Sequence, residues 1–77
     1  MSSTEELVDL ATLRKNLGLT QIEVSLKTSM SQESISRFER GGDHLISKLA
    51  DYVAALGGTL EVIAVIGEKR YHLVDVG

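Results

Sequence analysis

The chain has 77 residues, 43% of them apolar, with no cysteine, no proline and a formal charge of -3. A chain this short forms one domain whose core is marginal alone, so oligomerisation is expected, and the missing cysteines exclude disulfide frameworks, thiol catalysis and zinc fingers. No apolar run approaches the roughly 18 residues of a membrane span. Met1-Ser2-Ser3-Thr4-Glu5-Glu6 lacks the basic start of a signal peptide, so no membrane partner is expected and the cytoplasm is the default location.

The charge is unevenly spread. Residues 1–13 carry Glu5, Glu6 and Asp9 without a base, and residues 49–77 set Asp51, Glu61, Glu68 and Asp75 against Lys69 and Arg70. Between them, Arg14, Lys15, Lys27, Arg37, Arg40 and Lys48 outnumber Glu23, Glu33, Glu39 and Asp43. A mid-chain excess of bases permits a phosphate-bearing partner without demanding one, because a mixed solvated surface can carry the same small excess.

In chain order, Ser3 and Glu6 have the spacing of a capping box, and Leu7, Leu10, Leu13 or Arg14, and Leu17 recur at helical intervals up to Gly18. The spacing predicts a first helix over about residues 4–17. Its last turn carries Arg14 and Lys15, cations that the negative helix end favours. Either they do only this, or one of them also touches a phosphate of a bound partner. Thr20 and Glu23 form a second capping-box spacing, so a second helix begins at about Gln21. Val24 and Thr28 share one of its faces, and Ile22 and Leu26 lie about half a turn away from Val24. With Val24 inward, that pair is either a partner-binding patch or is folded against the first or fourth helix.

Ser31 and Ser34 give a third start signal after Thr28-Ser29-Met30, for a helix that runs to about Arg40 and stops at Gly41-Gly42. Two helices joined by so short a turn have helix-turn-helix geometry, in which the second can enter a DNA groove. Met30, Ile35 and Phe38 form the apolar side of the third helix and leave Gln32, Glu33, Ser36, Arg37 and Arg40 outward or sideways. Gln suits adenine, Arg suits guanine and Ser several bases. An ordinary wet helix face with a Glu33–Arg37 ion pair would look the same.

Beyond Asp43, a candidate cap, Leu45, Leu49, Tyr52, Val53 and Leu56 predict a fourth helix over about 44–56, ended by Gly57-Gly58. From Thr59 the period becomes two. Leu60, Val62, Ala64 and Ile66 share one face, Gly67-Glu68-Lys69 is a turn, and Tyr71 to Val76 return, which reads as a β-hairpin. Ile63 and Val65 make the other face apolar too. Pairing with the hairpin of a second chain would cover both faces and the open edges, with Leu60, Val62, Ile63, Val65 and Ile66 as the dimerisation residues. The alternative is a hairpin folded back on its own helices. His44 and His72 stand alone without metal-site spacing, and no nucleophile with a neighbouring base or phosphate-binding glycine loop is present. No metal, cofactor, small-molecule effector or enzymatic activity is indicated.

Leu19-Thr20-Gln21, Ser31-Gln32 and Ile35-Ser36-Arg37-Phe38-Glu39-Arg40-Gly41 resemble the LTQ, SQ and ISRxERG pattern of the phage-repressor (Cro/C1, or XRE) helix-turn-helix regulators, over about residues 10–56. Ser25 departs from the usual alanine, Ser29 from the usual turn glycine, and Leu26 is more apolar than is common. The resemblance implies that Gln21 binds a backbone phosphate, that Gln32, Glu33, Ser36 and Arg37 face bases, and that Ser31 and Ser34 lie near phosphates. Arg40, Arg14 and Lys15 complete the expected phosphate-binding set. The expected fold is therefore mainly α: a four-helix Cro/C1-type domain over residues 1–58, followed by a dimerising β-hairpin over 59–77. The expected function is a homodimeric, sequence-specific repressor of double-stranded DNA, acting on a pseudo-palindrome and on its own promoter. The ending ALGGTLEVIAVIG resembles that of XRE-type antitoxins, so the alternative is a module that neutralises a toxin protein, with DNA binding secondary.

Overall fold

A computed structural model describes residues 6–76. Four short helices, α1 (Leu10–Asn16), α2 (Gln21–Ser25), α3 (Gln32–Glu39) and α4 (Ile46–Ala55), precede an antiparallel hairpin of β1 (Ile63–Ile66) and β2 (Lys69–His72). Asp9 caps α1, its Oδ1 accepting from the Thr12 N–H at 2.8 Å. The first helix is thus shorter than the sequence predicts. Residues 6–9 are not helical, and Leu7 is fully exposed, so no burial supports an earlier turn. Ser3 of the expected capping box lies outside the described residues.

The α2 start is as expected. Thr20 Oγ1 accepts from the Glu23 N–H at 3.1 Å and the Glu23 carboxylate accepts from the Thr20 N–H at 2.8 Å, a reciprocal capping box. Ser31 caps α3 by accepting from the Ser34 N–H at 3.1 Å. Between them, Thr28 Oγ1 accepts from the Met30 N–H at 3.0 Å and braces the turn. After α3, Gly41 and Gly42 have φ of 103° and 105°, a region that favours glycine, and this pair redirects the chain towards α4. Asp43 does not cap α4. The helix begins later, behind Leu45 and without a side-chain cap, because the His44 ring is stacked on Phe38 with centroids 4.0 Å apart, outside the helix.

Val24, Ile35 and Tyr52 are fully buried, with Phe38 and Ala55 beside them and Leu10, Leu19, Met30, Leu49 and Leu56 packed around. All four helices contribute to this core or its shell, whereas neither strand does. In the hairpin, Ile63 faces His72 and Ile66 faces Lys69 across a two-residue turn at Gly67-Glu68. Only the first turn residue has positive φ, the pattern of a II′ turn, so Lys69 belongs to the strand rather than the turn. Pairing extends one step further through the Leu73 N–H to the Val62 carbonyl at 2.9 Å. The return strand ends earlier than its apolar pattern suggests, and Asp75 has φ of 57°.

Candidate nucleic-acid interface

The outer side of α3 rests on a polar cluster inside the core. The Arg14 guanidinium grips Glu39 with Nε at 2.7 Å from Oε2 and Nη2 at 3.1 Å from Oε1, while its Nη1 donates to the Leu19 carbonyl at 2.8 Å. The Tyr52 hydroxyl donates to Glu39 Oε2 and Gln21 Nε2 to Oε1 at 3.1 Å. One carboxylate therefore joins α1, α2, α3 and α4. Burial alone pushes the Glu39 carboxyl up, but hydrogen bonds from Arg14, Tyr52 and Gln21 outweigh it and hold the pKa below the ordinary glutamate value. Burial, then the bond to Glu39, pushes the Tyr52 phenol well above its ordinary range and keeps it a donor. The bond to Glu39 likewise strengthens the charge on Arg14.

This geometry removes Arg14 from the expected phosphate-binding set. Its side chain is 8% exposed and committed to Glu39 and Leu19, because Arg14 rather than Leu13 takes the core-facing position of α1. Lys15, by contrast, is exposed. Opposite charges at core-facing helical positions, Arg14 four residues after Leu10 and Glu39 four after Ile35, were the available signal for this pair.

On α3, Gln32, Glu33 and Arg37 are exposed, Ser36 is half-buried, and Arg40 is exposed at the C-cap. Gln21, Gln32, Glu33 and Ser36 line one shallow concavity where α2 meets α3, so three of the four expected base-facing residues meet one expected phosphate ligand. Arg37 and Ser34 instead line a neighbouring hollow with Met30, Phe38, Gly41, His44 and Lys48. The sequence assigned Lys48 and His44 no place at this surface, and what brings them here is the Gly41-Gly42 turn. The capping Ser31 is also exposed, beside the α3 amino terminus.

The expected dimerisation residues divide. Leu60 and Val62 are half-buried and line a hollow against Ile46 and Ala50 of α4, Ile63 is half-buried, and Val65 and Ile66 remain 60% and 68% exposed. On α2, Ile22 and Leu26 stand 54% and 80% exposed, so about half of Ile22 and most of Leu26 remain uncovered. Among the described residues no cluster of three or more potential metal ligands occurs, and no helix is long and apolar enough to cross a membrane.

Two curated relatives come from Mycobacterium tuberculosis strain H37Rv. The one designated antitoxin HigA2 is 33% identical over 63 residues, covering 79% of this chain and 62% of its own length. The one designated antitoxin HigA3 is 40% identical over 67 residues, covering 83% of this chain and 62% of its own length. The chain thus spans less than two thirds of either relative. Among solved structures, a HigA antitoxin described for its unique dimerization and induced DNA bending superposes with a TM-score of 0.81 at 35% identity, over 94% of this chain and 99% of the other. A DNA-bound antitoxin HigA3 superposes with a TM-score of 0.84 at 34% identity, over 95% and 97% of the two chains. The helix-turn-helix family profile matches residues 10–63. With that match across most of the chain and the four-helix arrangement built around α2 and α3, this chain belongs to the helix-turn-helix family.

Proposed function

We propose that the chain is a sequence-specific, double-stranded-DNA-binding transcriptional repressor that acts as a homodimer on a pseudo-palindromic operator, its own promoter included. The observation that carries this is the concave surface in which Gln21 of α2 meets Gln32, Glu33 and Ser36 of α3, with Arg37 beside it. In this reading α3 enters the major groove, Gln32, Glu33, Ser36 and Arg37 address base edges, and Gln21, Ser31, Ser34, Lys15 and Arg40 hold phosphates. Lys48 joins the phosphate set because it lines the same hollow as Ser34 and Arg37. Residues 59–77 are the dimerisation element, placing two α3 copies about 34 Å apart on one face of the duplex. The DNA-bound state of the HigA3 relative supports the reading. This is binding rather than enzymatic chemistry. The most strongly interacting ionisable groups, Arg14, Glu39 and Tyr52, are spent on one another inside the core.

An electrophoretic shift on the upstream promoter region tests it. Wild type should shift the duplex at low salt, and Arg37→Ala should lose about 1–3 kcal/mol and relax preference at one base position. Lys48→Ala should weaken all sequences alike and flatten the dependence on salt. Absence of any shift at low salt rejects the reading.

A second reading, an antitoxin that neutralises a partner toxin, is favoured by the exposed Ile22 and Leu26 and by the HigA designations of the relatives. It requires that the product of an adjacent toxin-like reading frame co-purify with this chain. Loss of that complex in Leu26→Ser, with DNA binding retained, would locate the contact on α2.

A further inference from the structure

Gln21 opens α2 with its side chain half-buried, and its Nε2 donates to Glu39 Oε1 at 3.1 Å. An amide nitrogen carries two hydrogens and the amide oxygen none, whereas a carboxylate only accepts. Glu39 therefore admits the nitrogen end of the Gln21 amide and repels the oxygen end. Because the amide is planar, that one bond also fixes the direction of the second N–H. Glu39 cannot turn to follow Gln21 elsewhere. Arg14 holds both of its oxygens, the Tyr52 hydroxyl donates to Oε2, and the carboxylate side chain is 4% exposed. Of its donors, only Gln21 also lines the concavity between α2 and α3.

We propose that Glu39 is a positioning residue for DNA: through Gln21 it presents one N–H, at the amino-terminal edge of α2, to an oxygen of a backbone phosphate. This rests on the DNA-binding reading above. Glu39 never touches the duplex. Its own charge is cancelled by Arg14, so the phosphate meets a neutral pair beneath Gln21 rather than a bare carboxylate. Without the carboxylate the amide turns freely, and half of its orientations offer the phosphate an oxygen instead of a donor.

The test is a double-mutant cycle on the full-length chain, with a duplex that wild type selects from a random pool. Gln21→Ala should weaken binding about tenfold, the scale of one charge-assisted hydrogen bond. The pair Arg14→Met with Glu39→Leu replaces the buried ion pair by apolar side chains, a change that cores often tolerate. It should weaken binding about twofold, since half of the freed amide orientations still donate, and Gln21→Ala should then cost about fivefold in place of tenfold. Wild-type affinity in the ion-pair variant, or the same tenfold loss from Gln21→Ala in both backgrounds, overturns the positioning role and leaves the DNA-binding reading standing. Failure of wild type to bind any duplex at low salt overturns both. Should the ion-pair variant not fold by circular dichroism, side-chain ¹⁵N relaxation of Gln21 in the free wild-type chain decides. A restrained amide supports the role and a freely rotating one rejects it.

Discussion

Each oxygen of the Glu39 carboxylate accepts two hydrogen bonds, from Arg14 and Tyr52 on one and from Arg14 and Gln21 on the other, which exhausts its capacity as an acceptor. Removing Arg14 alone, or Glu39 alone, would leave the other charge buried and uncompensated, at about 3–5 kcal/mol. Because the folded-state pKa of Glu39 is depressed, its contribution to stability is complete above the ordinary value of 4.5 and is lost as pH falls through the lower folded value. Asp9 and Glu23 act in the same direction, held down by bonds from the Thr12 and Thr20 N–H groups. The thermal midpoint of wild type should therefore fall between about pH 5 and pH 3, and the Arg14→Met/Glu39→Leu variant should show a shallower acid limb. Equal slopes would mean that Glu39 titrates normally in the folded chain. The sequence pointed to Gln32, Glu33, Ser36 and Arg37 because apolar residues on the opposite side of the helix leave them outside. It misassigned Arg14, since a cation in a last helical turn looks the same whether it faces water or a carboxylate 25 residues away.

α2 has only five residues, far below the length at which a helix persists by itself. It is held by the Thr20–Glu23 box at its start and by burial of Val24 beneath it. Thr20→Ala removes one of the box's two bonds and should cost about 1 kcal/mol, read as a lower urea midpoint at unchanged slope. No change in midpoint would place the stability of α2 entirely in Val24. The starts of α2 and α3 were legible because each is written in residues three apart, Thr20 with Glu23 and Ser31 with Ser34. The start of α1 was not, because Leu7 continues the helical spacing without meeting anything to pack on. The same holds for the late start of α4, which depends on His44 meeting Phe38, a contact that helical periodicity does not encode.

At the scale of the molecule, every buried apolar residue of the core, from Val24 to Ala55, precedes the hairpin. A chain cut after Gly58 retains that core and loses only the proposed pairing element. Sedimentation should therefore give a dimeric mass for the full chain and a monomeric mass for residues 1–58, and equal masses would remove the role assigned to the hairpin. The sequence made the hairpin visible through its period of two, but it could not say that Leu60 and Val62 turn towards α4 while Val65 and Ile66 stay outside. The meeting of four helices at one carboxylate also bears on how such a protein can diverge. Its structural crosslink lies beneath α3, while Gln32, Glu33, Ser36 and Arg37 take no part in it. Substitutions at those four positions can accumulate without loosening the helices, so gene duplication could yield a paralogue with a new operator while the scaffold stays unchanged.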